Sequence, residues 1–193
     1  MFEEYKITLA SASPRRRELL QGLGIDFTVE PSKDEKEAYS KDIPQEDVPE
    51  FLARHKSLSF HRQLADNEIL ITADTLVFVK GEIIGKPVDR EDAFRMIRML
   101  SADTHTVITG VVLRTVRETV SFKDISKVTF RELSDSEIYH YIDSFRPYDK
   151  AGAYGIQEWI GYVGITSIEG SFYNIMGLPV HAVYEQLCRL TSH

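Results

Sequence analysis

Cysteine is nearly absent from this chain of 193 residues, in which Cys188 is the one example. A single cysteine forms no intrachain disulfide and cannot build a metal site from thiolates. Cys188 falls within an apolar helical pattern near the end of the sequence, so we expect it to pack against other side chains. The sequence therefore excludes a disulfide framework and a cysteine metal site.

Long hydrophobic runs are missing as well. No stretch approaches the roughly 18 apolar residues of a transmembrane helix. The chain also begins MFEEYKITLA, with acidic residues where a signal peptide has basic ones. We therefore expect a cytoplasmic protein without a membrane partner.

Positive charge is in short supply, because 23 Lys and Arg residues stand against 30 Asp and Glu residues and the net charge is -7. Proteins that coat DNA or RNA need a broad basic face, so we expect no nucleic-acid partner. A small polyanion needs only a local basic site, which an acidic protein can still contain. No linker or internal repeat divides the chain, so we expect residues 1–193 to form a single domain.

Predicted strands and helices are interspersed along the chain. Apolar runs predict strands at 5–10, 26–30, 104–116, 119–131 and 162–170; helical periodicity and capping predict helices from Ser13 to Gly22 or Gly24 and at 46–65, 89–101, 134–145 and 176–190. Residues 68–87 indicate two strands with an Asp-Thr interruption between them, then a glycine turn and a short return. This order predicts an α/β fold with a mixed sheet.

Three arginines occupy the first turn of the helix that Ser13 should cap, in the stretch LASASPRRRELL at 9–20. A cation at a helix N-terminus is unfavourable by about 0.3 to 1 kcal/mol. One interpretation is a solvated helix face. The other is that Arg15, its two arginine neighbours and the first-turn N–H groups converge on one bound anion.

Polar residues also interrupt the apolar region that follows. Asp74 and Thr75 come directly after the mostly apolar residues 69–73, where Asp74 either bonds nearby backbone in a turn or offers oxygen to a hard cation. Lys86 stands between a glycine and a proline, as an exposed loop lysine or as a functional one. The segment DKAGAYGIQ, residues 149–157, has small residues that let a backbone approach a ligand closely, with a packed turn as the alternative.

Taken together, SASPRR at 11–16, ADT at 73–75, GKP at 85–87 and DKAGAYGIQ at 149–157 resemble the Maf family of nucleoside triphosphate pyrophosphatases. The resemblance implies an elongated α/β structure of two lobes around a long twisted mixed sheet with a central cleft. It also implies hydrolysis of dTTP and UTP, and of 5-modified pyrimidine analogues, to the monophosphate and pyrophosphate with Mg²⁺ or Mn²⁺. Several members of the family pair, so the resemblance allows a homodimer.

The family's site residues carry over by position. By this resemblance Asp74 is the proton acceptor, Arg15, Thr75 and Gln157 are tied to base choice, Lys56 and Lys86 contact phosphate near the helix start at Ser13, and Glu35 and Asp74 hold metal. The sequence departs from the family's pattern at Glu158, where many members have glycine.

A physical mechanism fits these residues. Hydrolysis between the α- and β-phosphates needs charge neutralisation, an aligned water and a proton acceptor. An aspartate of ordinary pKa is a poor base unless a metal acidifies the water, so we expect negligible activity without a divalent ion. Hydrogen bonds to the base edge should reject purines sharply and separate dTTP from UTP weakly. The alternatives are a 7-methyl-GTP or broader non-canonical triphosphate pyrophosphatase, and a non-catalytic nucleotide sensor linked to cell division.

Overall fold

Seven strands and seven α-helices occupy the residues that the computed structural model describes, 2–31, 39–40 and 42–192. The strands are β1 (Lys6–Leu9), β2 (Thr28–Val29), β3 (Glu68–Val79), β4 (Glu82–Ile84), β5 (Thr104–Arg114), β6 (Thr119–Phe130) and β7 (Ile165–Glu169). The helices are α1 (Pro14–Gln21), α2 (Val48–Leu58), α3 (Arg90–Leu100), α4 (Asp135–Phe145), α5 (Trp159–Gly164), α6 (Phe172–Met176) and α7 (Val180–Thr191), and short 3₁₀ helices lie at Gln45–Asp47 and Ala151–Ala153. None of the helices in these ranges is both long enough and apolar enough to cross a membrane.

All seven strands belong to one mixed sheet. The order along it is β2, β1, β3, β5, β6 and β7, and β4 pairs with β3 outside this path. β1 runs parallel to β2 and β3, whereas the pairs β3–β4 and β6–β7 are antiparallel. This arrangement confirms the predicted α/β class with a mixed sheet.

Two compact units divide the chain. The first unit contains Met1–Asp74, Thr109–Asp124 and Gly177–His193, and the second contains Thr75–Ile108 and Ile125–Met176. Three of the four boundaries fall inside β3, β5 and β6, so each of these strands contributes residues to both units. Folding of the whole chain as one domain stays a prediction.

The strand β3 is continuous from Glu68 to Val79, so the predicted Asp-Thr interruption is wrong. β1 pairs with its first half as far as Ile71, and β4 pairs with its second half from Val77. Asp74 lies between the two pairings and is buried. The turn preference of aspartate gives way here because the strand is paired on both sides of Asp74 and a lysine compensates the carboxylate charge.

The helix α2 is shorter than its periodicity predicts, because it ends at Leu58 and not near residue 65. In the chain that follows, the Arg62 guanidinium donates to carboxylate oxygens of Glu30 at 2.7 Å and Glu68 at 2.6 Å. Glu68 is fully buried, and the hydrogen bond from Arg62 holds the pKa of its carboxyl well below the usual range. A charge network between distant parts of the sequence thus replaces the predicted last turns.

Two predictions near the C-terminus are wrong in part. The predicted strand at 162–170 is shorter, because its first residues belong to α5. The predicted helix at 176–190 corresponds to α7, which the short α6 precedes. Gly177, with a φ of 116°, and Pro179 separate these two helices, because neither residue suits a continuing helix.

The predicted helix caps are confirmed. Ser13 caps α1 with Pro14 at the first helical position, and the helix ends just before a glycine. The Asp89 side chain caps α3 by accepting a backbone N–H at 2.8 Å. Ser134 and Glu137 form a complete capping box at the start of α4.

Gly110 lets α2 lie directly against β5 within the first unit. A Cβ atom at Gly110 would stand 2.2 Å from the backbone nitrogen of Glu50. Farther along the helix, the Thr72 hydroxyl on β3 donates to the carbonyl of Ala53 at 2.7 Å. Arg114 on β5 donates to a carbonyl in the last turn of α2 at 2.5 Å. These contacts fix α2 against the two strands along its length.

We expect the substitution Gly110→Ala to lower the free energy of unfolding by about 3 kcal/mol, because the added methyl group meets backbone that cannot rotate away. Gly85→Ala is the matched control, since a Cβ there meets no described atom within 4 Å. Urea unfolding of both variants measures the difference. Equal unfolding midpoints would contradict close packing at Gly110.

Candidate active site

Ser13 forms the start of α1 soon after β1 ends. Its side chain accepts the Arg16 backbone N–H at 3.4 Å, and its own N–H donates to the Ser11 hydroxyl at 3.2 Å. The first turn contains no acidic residue. The positive end of the helix dipole is therefore not compensated by a carboxylate in this turn, which favours a bound anion.

The Arg16 guanidinium donates hydrogen bonds to two backbone carbonyls. Its Nε donates to the carbonyl of Gly177 at 2.8 Å and its Nη1 donates to the carbonyl of Ala73 at 2.9 Å. Arg17 is exposed, and Arg15 is half-buried. Arg16 therefore has a structural role at these two carbonyls, and the convergence of the three arginines on one anion stays a prediction.

The Ala73 carbonyl needs this donor because of the way β1 ends. The N–H of Ala10, just after β1, donates to the carbonyl of Ile71 at 2.9 Å, beside the last residue pair of β1 and β3. The Ala73 carbonyl faces the same edge two residues later, beyond the end of β1. Arg16 supplies the hydrogen bond that a longer β1 would have made.

Asp74 accepts a charged hydrogen bond from the Lys56 ammonium. Asp74 is only 5% exposed, whereas Lys56 is half-buried. Thr72 and Asp74 are two residues apart on β3, and their partners Ala53 and Lys56 are three residues apart on α2, so the two contacts are successive links between one strand face and one helix face. Lys56 thereby compensates a buried carboxylate, which would otherwise carry a large desolvation penalty.

Lys86 lies in the exposed loop after β4, in the second unit. The preceding Gly85 accepts the Gly152 N–H at 3.0 Å, which ties this loop to the 3₁₀ helix of the glycine-rich segment. Gly152 has a φ of 71°, and a Cβ atom there would stand 3.1 Å from the Val77 side chain. Only glycine fits this position without strain.

Tyr154 anchors the same segment through His105, a residue that the sequence did not single out. The Tyr154 hydroxyl and His105 Nε2 share a hydrogen bond of 2.7 Å, and both side chains are buried. Burial lowers the pKa of His105 to about 4, against a smaller opposing effect of the Asp103 charge. His105 is therefore neutral near pH 7.

Gln157 occupies the third position of a turn in which the Glu158 N–H donates to the Gly155 carbonyl at 3.0 Å. Its side-chain oxygen is buried and accepts no hydrogen bond from the part of the chain that the structure describes. A buried carbonyl without a donor costs about 1 to 3 kcal/mol, so a ligand N–H at this oxygen would be stabilising. Thr75, half-buried, directly follows Asp74 in β3, and the alternation of a strand places the two side chains on opposite faces.

The predicted site residues are distributed over both units. Ser13, Arg15, Lys56 and Asp74 belong to the first unit, and Thr75, Lys86 and Gln157 belong to the second. The structure brings Lys56 and Asp74 into direct contact. Glu35 lies outside the described residues, so its assignment to metal stays a prediction.

A divalent cation is compatible with this donor set if the substrate supplies some of its ligands. Among residues 2–31, 39–40 and 42–192, no three His, Cys, Asp or Glu side chains form a group that could hold a metal ion. Mg²⁺ commonly takes one or two carboxylates and completes its shell with water and substrate phosphates. Asp74 supplies one hard carboxylate, so the residues fit a cation that binds jointly with a phosphorylated substrate.

Known proteins resemble this chain over nearly its full length. The family model described as Maf-like protein matches residues 6–190. A dTTP/UTP pyrophosphatase of Parabacteroides distasonis is 50% identical over 185 residues, which cover 96% of this chain and 96% of that protein. Proteins of the same name are 52% identical in Porphyromonas gingivalis strain W83 (96% of this chain, 94% of that protein) and 48% identical in Bacteroides thetaiotaomicron (97% of each).

We expect Arg16→Ala to lower the free energy of unfolding by about 2 kcal/mol, because two backbone carbonyls lose a charged donor. Arg17→Ala, which removes an exposed neighbour, should change it by less than about 0.5 kcal/mol. Urea unfolding of the two variants measures the contrast. Similar losses for both would mean that Arg16 is not the structural arginine.

We expect the free energy of unfolding to fall as the pH is lowered from 6.5 to about 4, because of His105. The unfolded chain binds a proton there at the ordinary pKa of about 6.5, whereas the folded chain resists protonation until about pH 4. The stability present above pH 6.5 is thus lost across this window, by about 3 kcal/mol. Urea midpoints of the wild type and of His105→Gln test this, since the variant should show a shallower loss over the same window; parallel curves would contradict it.

Proposed function

The chain belongs to the Maf family, and we propose that it hydrolyses dTTP and UTP to the nucleoside monophosphate and pyrophosphate. The observation that carries the proposal is the buried pair of Asp74 and Lys56, the two residues that the family resemblance assigns to proton transfer and phosphate contact. Relatives about half identical over nearly the whole chain are named dTTP/UTP pyrophosphatase, which supports the same substrates.

Proton transfer is the role that we propose for Asp74. A water oxygen attacks the α-phosphorus while the bond from that phosphorus to the oxygen bridging to the β-phosphate breaks. The attacking water gives its proton to the Asp74 carboxylate, and pyrophosphate leaves with the electrons of the broken bond. Burial in β3 fixes the direction of the carboxylate, which general-base catalysis requires.

Charge neutralisation is the role that we propose for the basic groups. Lys56 has three N–H donors on one ammonium group, so it can hold Asp74 and also contact a phosphate oxygen. Arg15 and the start of α1 at Ser13 add a guanidinium and the positive end of a helix dipole. Lys86, exposed in the second unit, is the further phosphate contact that the resemblance assigns.

A divalent cation, Mg²⁺ or Mn²⁺, would be held by Asp74, with Glu35 as the second carboxylate. When bound it would supply a Lewis acid that withdraws negative charge from the phosphates. Mg²⁺ commonly takes one or two carboxylates and completes its shell with water and substrate phosphates, which supports binding together with the substrate. We therefore propose that hydrolysis depends on a divalent cation.

Base choice is the role that we propose for Gln157, with Arg15 and Thr75. Thymine and uracil present an N3–H donor and an O4 acceptor, which complement the oxygen and nitrogen of one amide group. The buried Gln157 oxygen supports this pairing, because the base would supply the missing donor. Cytosine lacks the N3–H and purines differ in shape, so both should be rejected, while the 5-methyl group of thymine, or another 5-substituent, affects binding little.

The setting that we propose is the cytoplasm, where nucleoside triphosphates are the substrates of biosynthesis. The net charge of -7 supports a nucleotide substrate over a nucleic-acid partner. The pairing known among members of the family supports a homodimer.

We expect pyrophosphate release from dTTP and UTP but not from CTP, GTP or 7-methyl-GTP, and we expect a chelator to abolish it. Asp74→Asn should lower kcat/KM at least about 100-fold, because a general base contributes roughly that much or more. Asp66→Asn, a change at an exposed aspartate just before β3, is the matched control and should retain activity.

Other outcomes identify the alternatives. Release confined to 7-methyl-GTP, or spread over several unusual triphosphates, would replace the dTTP and UTP assignment. Binding of a triphosphate by the wild type with no cleavage in any metal would indicate a nucleotide sensor. Full activity of a folded Asp74→Asn variant would refute the role of Asp74.

A further inference from the structure

Tyr141 and Lys150, both buried, and the half-buried Glu158 form a polar cluster in the second unit, which we call the turn clamp. The Tyr141 hydroxyl donates to one carboxylate oxygen of Glu158, and the Lys150 ammonium contacts the other at 3.1 Å. Lys150 also donates to Asp149 at 2.8 Å. Tyr141 is fully buried, Lys150 is 8% exposed, and burial together with the Glu158 contact raises the pKa of Tyr141 above its ordinary value.

The clamp closes around the turn that carries Gln157. The Tyr141 hydroxyl accepts the Gly155 N–H at 2.9 Å while it donates to Glu158, so one oxygen atom joins the first and last residues of the turn. The turn's own bond, from the Glu158 N–H to the Gly155 carbonyl, runs beside it at 3.0 Å. Gln157 therefore lies between two residues whose positions a single buried hydroxyl determines.

The backbone of this turn is closely packed. A Cβ atom at Gly155 would stand 2.8 Å from the Glu158 carboxyl carbon, and one at Gly161 would stand 1.8 Å from the Ile156 carbonyl oxygen. The turn is thus enclosed by the clamp on one side and by α5 on the other. Small residues at these two positions permit the close approach.

Stability alone is a weak reason for this arrangement. A buried ion pair often contributes little net stability, because removing two charges from water offsets their attraction. Its geometry is nevertheless specific, since Glu158 must meet both a hydroxyl and an ammonium. An ion pair that fixes the orientation of its side chains, and adds little stability, is well suited to position a neighbouring residue such as Gln157.

We propose that Tyr141 and Glu158 are positioning residues that set substrate selection by aiming the Gln157 amide at the pyrimidine base. The proposal rests on the proposed function, and it assigns these two residues no contact with the substrate. A displaced turn would weaken the base-edge hydrogen bonds, which distinguish uracil and thymine from cytosine. It would leave proton transfer at Asp74 in place.

The test compares Tyr141→Phe and Glu158→Gln with the wild type. Both variants keep the side-chain shape, so the ring contact of Tyr141 with Phe145 should persist. We expect the ratio of kcat/KM for dTTP to that for CTP to fall about tenfold in each variant, mostly through KM for dTTP. The double variant should fall no further than the single ones, because both changes open the same clamp.

Ile138→Val is the control, because it should destabilise the fold while leaving the hydrogen bonds of the turn clamp intact. Ile138 is fully buried on α4, one turn before Tyr141. This variant should unfold at a lower urea concentration and keep the dTTP to CTP ratio of the wild type. Unchanged ratios in folded Tyr141→Phe and Glu158→Gln, or an equal fall in Ile138→Val, would overturn the proposal.

Failure of the proposed function gives a different result. If the wild type cleaves neither dTTP nor UTP, the preference for dTTP is measured instead as the ratio of the dissociation constants of CTP and dTTP in the presence of a chelator. A smaller preference for dTTP in the two clamp variants would then support the positioning role without catalysis. An unchanged preference would overturn it.

Discussion

The burial of one carboxylate in the middle of a strand is the constraint on which the first unit depends. The buried Asp74 carboxylate contacts the Lys56 ammonium, which reaches it because α2 lies tight against β3 and β5. Gly110 makes that distance possible, since a Cβ at this position would overlap the helix backbone. The packing of a glycine and the charge of an aspartate are thus parts of one arrangement, and a change in either disturbs the other.

In the second unit, the buried polar groups that need partners belong to the backbone of residues 149–158. Residues 149–158 make few regular backbone hydrogen bonds, so other groups must satisfy their buried amides. The Gly155 N–H donates to the Tyr141 hydroxyl, and the Gly152 N–H donates to the Gly85 carbonyl. A segment whose regular structure is one short 3₁₀ helix is consequently held by specific contacts with other elements, so its shape depends on those contacts more than on backbone propensity.

Local signals in the sequence predicted local structure well. Ser13 and Glu137 act through backbone within three residues, and their caps were predicted correctly because the whole interaction lies in one turn of chain. The structural contacts of Arg16 were not predicted, because its acceptor carbonyls lie 57 and 161 residues away. The continuity of β3 was missed for the same reason, since its strand partners and the partner of Asp74 come from other elements. Glu158 was noticed only as a departure from the family's pattern, because nothing in its own neighbourhood reveals Tyr141.

In the function that we propose, phosphate chemistry and base choice depend on different residues of the chain. Consecutive side chains of β3 emerge on opposite faces, so Asp74 meets α2 while Thr75 faces the other way. The hydrogen bonds of the turn clamp join residues of the second unit, whereas the contacts that fix Asp74 join residues of the first. Substitutions near Gln157 can therefore alter hydrogen bonding to a base without disturbing the Asp74–Lys56 pair. Because the two sets of contacts share no residue, the proposed roles allow one fold to keep its phosphate chemistry while base preference varies.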